Sequence, residues 1–204
     1  MMMSLFAHAA QHSPILAILR GFDVSETVRL CHLAWDAGAR LVEVPIQDRA
    51  GEDALAAAVD AGHERGLPVG AGTVTSLDRL RRARAHGAAF TVAPGFDTEV
   101  ARASQDAGIP HLPGVATATE VQRALAHGFT WLKAFPAAEL GPAWIAAMHG
   151  PFPEARFVAT GGIAKANAAR FLAAGAELVA IGTAIRTFDS TWGLDGLGPG
   201  DGER

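Results

Sequence analysis

Glycine recurs along this chain at intervals that fit one strand and one helix. Seven glycines each follow a stretch of helical periodicity: Gly38, Gly62, Gly87, Gly108, Gly128, Gly150 and Gly175. Their successive spacings are 24, 25, 21, 20, 22 and 25 residues. Glycine closes the last turn of a helix because it adopts the left-handed conformation without steric cost. The repeat therefore predicts a series of helices, each followed by the next strand.

Eight short apolar segments alternate with these helical stretches and have the length of buried strands. They are Ile15 to Leu19, Leu41 to Val44, Val69 to Gly72, Phe90 to Ala93, His111 to Leu112, Trp131 to Phe135, Phe157 to Ala159 and Leu178 to Ile181. Eight alternating strand and helix units in about 200 residues predict an α/β fold, a single (βα)8 TIM barrel with a short N-terminal helix. An open doubly wound sheet is the alternative, although no G-x-G-x-x-G motif follows the first segment.

Chain length predicts one domain. The 204 residues, half of them apolar, suffice for a single sizeable core. We expect one domain over 1–204, with its core at about 14–186 and a Gly- and Asp-rich tail over 187–204. The tail lacks the closing helix expected of a barrel, so we expect it to be partly disordered or a neighbouring subunit to cover that seam.

Charge and cysteine content narrow the class of partner. A net charge of -4, from 17 basic and 21 acidic residues without a long run of either sign, gives no electrostatic reason to expect nucleic acid or a membrane. No segment has the apolar length of a transmembrane helix, and the N-terminus lacks the basic region of a signal peptide. Cys31 is the single cysteine, which suits a reducing compartment. We expect a cytoplasmic protein that binds a small molecule.

A lysine interrupts one apolar strand, within Phe129-Thr-Trp-Leu-Lys-Ala-Phe-Pro136. Burying an ammonium group is costly, so a lysine in such surroundings tends toward its neutral amine form. A neutral amine is a nucleophile that can form a Schiff base with a carbonyl substrate and then accept electrons as a carbon-carbon bond breaks. The alternative is a lysine on an edge strand whose ammonium reaches solvent.

Glu43 is a second ionisable residue in apolar surroundings, within Leu41-Val-Glu-Val-Pro45. A poorly solvated carboxyl group can exchange protons near neutral pH, although a glutamate at a strand end can also simply reach solvent. The carboxyl ends of barrel strands meet at one face, where active sites lie. Glu43 and Lys133, 90 positions apart, would meet there, which favours a joint catalytic role.

Two glycine-rich turns follow the seventh and eighth predicted strands, at Thr160-Gly-Gly-Ile163 and Ile181-Gly-Thr-Ala184. Backbone without Cβ atoms lets an anion approach, and these two loops are a recurring phosphate site in barrels. Each turn alone could equally be a tight turn, but together they predict a phosphate site. Lys165 and Arg186 lie nearby and could either assist or be solvated surface residues.

These motifs, with Leu16-Ala-Ile-Leu-Arg-Gly21, Gly70-Ala-Gly-Thr-Val74, Ala93-Pro-Gly95 and the segment 112–120, closely resemble the 2-keto-3-deoxy-6-phosphogluconate aldolases in order and spacing. The resemblance implies a class I aldolase of the Entner-Doudoroff pathway, usually a homotrimer, without metal or cofactor. The implied reaction cleaves the six-carbon phosphorylated ketoacid to pyruvate and glyceraldehyde 3-phosphate. Cleavage of 4-hydroxy-2-oxoglutarate to pyruvate and glyoxylate is a further expectation.

The resemblance also implies roles for individual residues. Lys133 is the expected Schiff-base lysine and Glu43 the acid and base. The expected substrate-binding residues are Arg20, Gln47, Thr73, Pro94, Phe135, Thr160, Gly161, Gly162, Gly182 and Thr183. Among them, Thr73 corresponds to the family's carboxylate-binding threonine, and Thr183 to a phosphate ligand that is serine in many relatives.

One departure from the family pattern leaves the substrate open. Many phosphogluconate aldolases carry an arginine four residues after the glutamate, where this chain has Gln47. Arg20 is the natural substitute, as in the related 6-phosphogalactonate aldolases. The segment 139–145 resembles the galactonate branch, whereas Thr160 and the segment 150–153 resemble the gluconate branch. The two substrates differ only at the C4 hydroxyl.

Two other classes of function remain open at this point. A phosphate-binding isomerase or epimerase could use the same barrel without a buried amine, and a catalytically silent trimeric barrel could serve as a binding module. A metal-dependent aldolase is disfavoured because the eight histidines show no paired ligand spacing.

Overall fold

The computed structural model describes residues 5–187, in which nine strands form one parallel sheet. The strands are β1 (Ile15–Ile18), β2 (Leu41–Pro45), β3 (Val69–Gly72), β4 (Thr91–Val92), β5 (His111–Leu112), β6 (Gly114–Val115), β7 (Trp131–Ala134), β8 (Arg156–Thr160) and β9 (Ala176–Ile181). Their hydrogen-bonded order is β5-β4-β3-β2-β1-β9-β8-β7-β6.

The sheet closes into a barrel at Pro113. β5 and β6 lie at opposite ends of the strand order, yet Pro113 alone separates them in the chain. They are two halves of one barrel strand, interrupted because proline has no backbone N–H to donate. The Pro113 carbonyl still accepts the Lys133 N–H at 2.8 Å. The predicted (βα)8 fold is confirmed, with the predicted sixth to eighth strands corresponding to β7, β8 and β9.

Helices connect the strands on the outside of the barrel. They are α1 (Leu5–Ala10), α2 (Val24–Asp36), α3 (Arg49–Arg65), α4 (Leu77–Ala85), α5 (Thr98–Asp106), α6 (Ala118–Ala126), α7 (Ala137–Leu140), α8 (Pro142–His149) and α9 (Ala168–Ala173), followed by the 3-10 helix η1 (Thr183–Thr187). Most begin at a side-chain cap; Asp48, for example, accepts the Gly51 N–H at 2.9 Å at the start of α3.

The glycine repeat marks helix ends at six of its seven positions, and at five of these the backbone has positive φ. The prediction is wrong at Gly62, which lies inside α3, and Gly66 closes that helix with φ 66°. A Cβ at Gly62 would lie 2.7 Å from the Leu67 carbonyl oxygen, so this glycine allows close packing instead. Gly150 has φ -58° and ends α8 without a left-handed turn.

Alternation along the strands separates two apolar layers. Leu41 and Trp131 point into the barrel, whereas Val42 and Leu132 point outward and pack under the helices. The leading helix α1 closes the N-terminal end of the interior with Phe6, whose ring centroid lies 5.5 Å from that of Phe90 and 5.8 Å from that of Trp131. The predicted short N-terminal helix is thus confirmed, and the structure shows in addition that it covers one end of the barrel.

Within residues 5–187, no helix combines the length and the apolar character needed to cross a bilayer. The tail predicted over 187–204 lies, apart from Thr187, outside the described residues.

Candidate active site

Lys133 and Glu43 both project into the barrel, one step above the apolar layer. Each lies two residues after an inward-facing apolar residue, Trp131 on β7 and Leu41 on β2. Because side chains on a strand alternate between faces, both ionisable groups must also face inward. Lys133 is 3% exposed and Glu43 is 1% exposed, so the burial expected from their apolar neighbours is present.

Within residues 5–187, the Lys133 amine has no ion pair and the Glu43 Oε1 atom has no hydrogen bond. The Lys133 Nζ lies 5.2 Å from the centroid of the Phe135 ring, and no carboxylate of residues 5–187 forms an ion pair with it. The Glu43 Oε1 atom is buried and has no hydrogen-bond partner among the described residues. A buried carboxylate oxygen without a partner is costly, so its retention here favours a functional role.

Gly72 makes room for the Glu43 side chain. Gly72 ends β3 and pairs with Pro45 on β2. A Cβ atom on Gly72 would lie 2.7 Å from the Glu43 Cδ and 2.8 Å from its Cγ, closer than carbon atoms pack. The inward position of the carboxyl group therefore depends on glycine at this point.

A cavity of about 550 Å³ opens at the C-terminal face of the barrel. It brings together eight of the twelve predicted site residues: Arg20, Lys133, Phe135, Thr160, Gly161, Gly162, Gly182 and Thr183. Reasoning from the sequence did not identify Ile18, Phe22, Ile163 and Ala180 in its wall. Arg186, whose role was left open, also lines it.

Two glycines with positive φ shape the loop after β8. Gly161 has φ 95° and Gly162 φ 70°, in the left-handed region that favours glycine. A Cβ on Gly161 would lie 3.1 Å from the Phe135 ring, and one on Gly162 would collide with Ala138. Asn167 holds the turn, because its Nδ2 donates to the Gly162 carbonyl at 2.9 Å. This turn lines the same cavity as Gly182 and Thr183.

The loops after β1, β2 and β3 meet beside the cavity. Arg20 lines the cavity, and its Nη1 donates to the Gln47 Oε1 at 3.5 Å. Arg79 Nη2 donates to the Gln47 carbonyl at 3.4 Å, and its Nη1 donates to the Thr73 carbonyl at 3.4 Å. Thr73 has φ 59°, a left-handed conformation that is uncommon outside glycine. Gln47 thus contacts Arg20, the residue expected to replace the family's arginine at position 47. Nothing in the sequence indicated the role of Arg79.

Four predicted residues do not line the main cavity. Glu43 is paired in register with Ile18 and Gln47 contacts Arg20, both of which line it, and Thr73 is linked to Gln47 through Arg79. Pro94 lines a separate cavity of about 230 Å³ together with His111. Burial lowers the pKa of His111 to about 4, and its Nδ1 lies 2.8 Å from the Thr91 hydroxyl.

The side chains of residues 5–187 include no group of three His, Cys, Asp or Glu that could hold a metal ion. Cys31 is buried, and its burial raises the pKa of the thiol to about 12, so it is not an activated nucleophile.

The chain is similar to known proteins over most of its length. A family model described as KDPG and KHG aldolase matches residues 7–192. A 2-dehydro-3-deoxy-phosphogluconate aldolase from Treponema pallidum is 36% identical over 161 residues, which are 78% of this chain and 74% of that protein. A 2-dehydro-3-deoxy-6-phosphogalactonate aldolase from Escherichia coli is 34% identical over 171 residues, which are 83% of each chain.

A solved structure matches at the level of the whole fold. The crystal structure of a KDPG aldolase from Legionella pneumophila, with pyruvate captured as a covalent carbinolamine intermediate, aligns with a TM-score of 0.81 and 27% sequence identity. The alignment covers 94% of both chains.

Proposed function

The chain belongs to the KDPG and KHG aldolase family, and we propose that it is a class I aldolase acting through a Schiff base on Lys133. Its substrate is 2-keto-3-deoxy-6-phosphogluconate or the galactonate epimer, and its products are pyruvate and glyceraldehyde 3-phosphate. The observation that carries this proposal is a buried lysine, without an ion pair to any residue of 5–187, at the base of a cavity with two glycine turns.

The chemistry starts at the Lys133 amine. Its Nζ attacks the C2 ketone, and loss of water from the carbinolamine leaves a protonated imine. The imine accepts the electron pair of the C3–C4 bond as that bond breaks, and the aldehyde leaves. The enamine that remains takes a proton at C3, and water hydrolyses the imine to release pyruvate and restore Lys133.

Glu43 moves the protons of this sequence. Its carboxyl group protonates the departing hydroxyl of the carbinolamine and, directly or through a water, takes the proton of the C4 hydroxyl during cleavage. The buried Oε1 atom without a partner supports this role, because a carboxylate tied up in hydrogen bonds would exchange protons less readily.

The remaining residues hold the substrate across the imine. Arg20 binds the carboxylate with Thr73 beside it, and Gln47 orients Arg20 through the contact between their side chains. Phe135 and Thr160 contact the carbon chain, and the turns at Gly161 to Gly162 and Gly182 to Thr183 receive the phosphate. We leave Pro94 out of this set because it lines the second cavity.

We further propose a single-domain cytoplasmic homotrimer, which the motif resemblance supports. The resemblance gives opposing expectations for the choice between the two epimers: Arg20 in place of an arginine at position 47 and the segment 139–145 favour the galactonate acid, and Thr160 and the segment 150–153 favour the gluconate acid. Comparing kcat/KM for the two acids, and for 4-hydroxy-2-oxoglutarate, decides among them.

Borohydride trapping with pyruvate tests the proposal. The chain contains two lysines, Lys133 and Lys165, so an adduct on a lysine side chain has two possible positions and each has a matched variant. We expect mass spectrometry to find the reduced pyruvate adduct on Lys133, with trapping lost in Lys133→Arg and retained in Lys165→Arg. An adduct on Lys165, or no adduct in the native protein, would contradict the proposed function.

A further inference from the structure

The phosphate end of the cavity has no cation assigned to it. A phosphate monoester carries about -1.5 to -2 charges at pH 7, and backbone N–H groups supply only partial charges. Within residues 5–187, the cations that line the cavity are Arg20, Lys133 and Arg186. The proposed function uses Arg20 for the carboxylate and Lys133 for the imine, so Arg186 is left to balance the phosphate.

Arg186 is built into the same turn as the phosphate-binding backbone. It lies three residues after Thr183 in η1. Its guanidinium carbon is 5.0 Å from the centroid of the Phe22 ring, which also lines the cavity. Stacking on an aromatic face restrains the side chain without using its N–H donors.

An ion pair with Glu26 orients Arg186, and Glu26 is shared with a second arginine. Arg186 Nη2 lies 3.2 Å from the Glu26 Oε1. Arg29 already binds both oxygens of that carboxylate, with Nε 2.7 Å from Oε2 and Nη2 3.0 Å from Oε1. These bonds from Arg29 lower the pKa of Glu26. One carboxylate is thus shared by two guanidinium groups, while the nearby Asp23 carboxylate caps α2 and accepts the Glu26 N–H.

The donors of Arg186 are sufficient for a phosphate. A guanidinium has five N–H donors, and the pair with Glu26 engages one nitrogen. Arginine binds phosphate oxygens in a bidentate manner that lysine cannot reproduce. The side chain is 59% exposed, so it can turn toward a ligand without disturbing the core.

We propose that Arg186 binds the substrate phosphate alongside the two glycine turns and gives the enzyme its preference for the phosphorylated acid over the unphosphorylated one. This inference rests on the proposed function and deepens it, because it names the residue that reads the phosphate group.

Arg186→Gln separates phosphate recognition from the chemistry. We expect KM for 2-keto-3-deoxy-6-phosphogluconate to rise about 10- to 100-fold, the range for loss of hydrogen bonds to a charged group, with kcat changed little. KM for unphosphorylated 2-keto-3-deoxygluconate should stay at the wild-type value. Inhibition by inorganic phosphate should weaken in parallel, and Arg186→Lys should restore part of the loss.

Arg65→Gln is the matched control. Arg65 also combines an ion pair, 2.6 Å to the Asp36 carboxylate, with an aromatic contact, 5.6 Å to the Trp35 ring, but it is not among the residues that line the cavity. Both KM values should be unchanged in this control. An Arg186→Gln variant that keeps the wild-type preference, or loses activity equally on both substrates, would overturn the inference.

Pyruvate trapping keeps the two proposals apart, because pyruvate has no phosphate. Wild-type protein that forms no adduct on Lys133 would remove the proposed function. Wild-type protein that forms the adduct and cleaves the ketoacid, with an unaltered substrate preference in Arg186→Gln, would remove only the role of Arg186.

Discussion

Replacing Gly72 with alanine should inactivate the enzyme by displacing the Glu43 carboxyl group. The added Cβ would lie 2.7 Å from the Glu43 Cδ. Carbon atoms in contact keep about 3.5 to 4.0 Å, so the carboxyl carbon must withdraw by about 1 Å. A misplacement of about 1 Å can cost about 100-fold in rate, and we expect a fall in kcat of that order.

The barrel should stay folded in this variant. Gly72 does not have positive φ, so the strand backbone accepts alanine. The atoms in the way belong to the outer part of a side chain, which can rotate, rather than to the backbone. We therefore expect Gly72→Ala to keep a Tm close to that of the wild type while its activity falls. The single variant Glu43→Gln should also lower kcat by about 100-fold or more.

A pyruvate-release assay tests this prediction by comparing the wild type, Gly72→Ala, Glu43→Gln and the double variant. If Gly72→Ala acts through Glu43, adding Glu43→Gln to it should cause little further loss, because interacting positions are not additive. The matched control is Gly70→Ala on the same strand, whose Cβ would lie 2.5 Å from the Phe90 Cδ2 and should destabilise the protein instead. A folded Gly72→Ala variant with kcat within about threefold of wild type would refute the reasoning.

Two further predictions concern buried groups outside the site. Burial lowers the pKa of His111 from 6.5 to about 4. Between these two pH values the unfolded chain binds a proton that the folded chain does not. The free energy of unfolding should therefore fall by about 3 kcal/mol as the pH drops from 6.5 to about 4. Urea titrations should show this loss in wild type and less of it in His111→Gln. An equal pH dependence of the free energy of unfolding in the two proteins would contradict the prediction. Burial raises the pKa of the Cys31 thiol to about 12, so a thiol reagent at pH 8 should label the protein in urea but not in buffer, and rapid labelling of native protein would contradict this.

Sequence periodicity predicted the strands well because barrel strands are short apolar runs with a helix on each side. Leu41 to Val44 and Val69 to Gly72, for example, fall on β2 and β3 within one residue. The errors arose where a residue type has two possible structural roles, as glycine does at a helix end and at a point of close packing. Gly62 fits a helix-end pattern but is glycine because a Cβ would meet the Leu67 carbonyl, and only the packed structure reveals that contact.

The catalytic pair was also predictable, since an ionisable residue in an apolar strand is a local signal. The residues that sequence reasoning missed or left open include polar side chains outside the strands, namely Arg79 in α4, Asn167 at the start of α9 and Arg186 in η1. In a sequence these look like ordinary solvated residues, and only the structure reveals their contacts with Gln47, Gly162 and Glu26. Pro94 was predicted to bind the substrate because it follows a strand at the C-terminal face of the barrel. The structure instead places it in the wall of the second cavity.

Stability and chemistry are separated along the barrel axis. Burying Lys133 and Glu43 costs free energy that the layer below must offset, and that layer is apolar, with Trp131 and Leu41 inward and Phe6 of α1 closing its end. The same alternation that turns Trp131 and Leu41 inward turns Lys133 and Glu43 inward two residues later. A register slip of one residue would therefore expose the apolar layer and remove both catalytic groups at once, so packing of the lower layer enforces the geometry of the site.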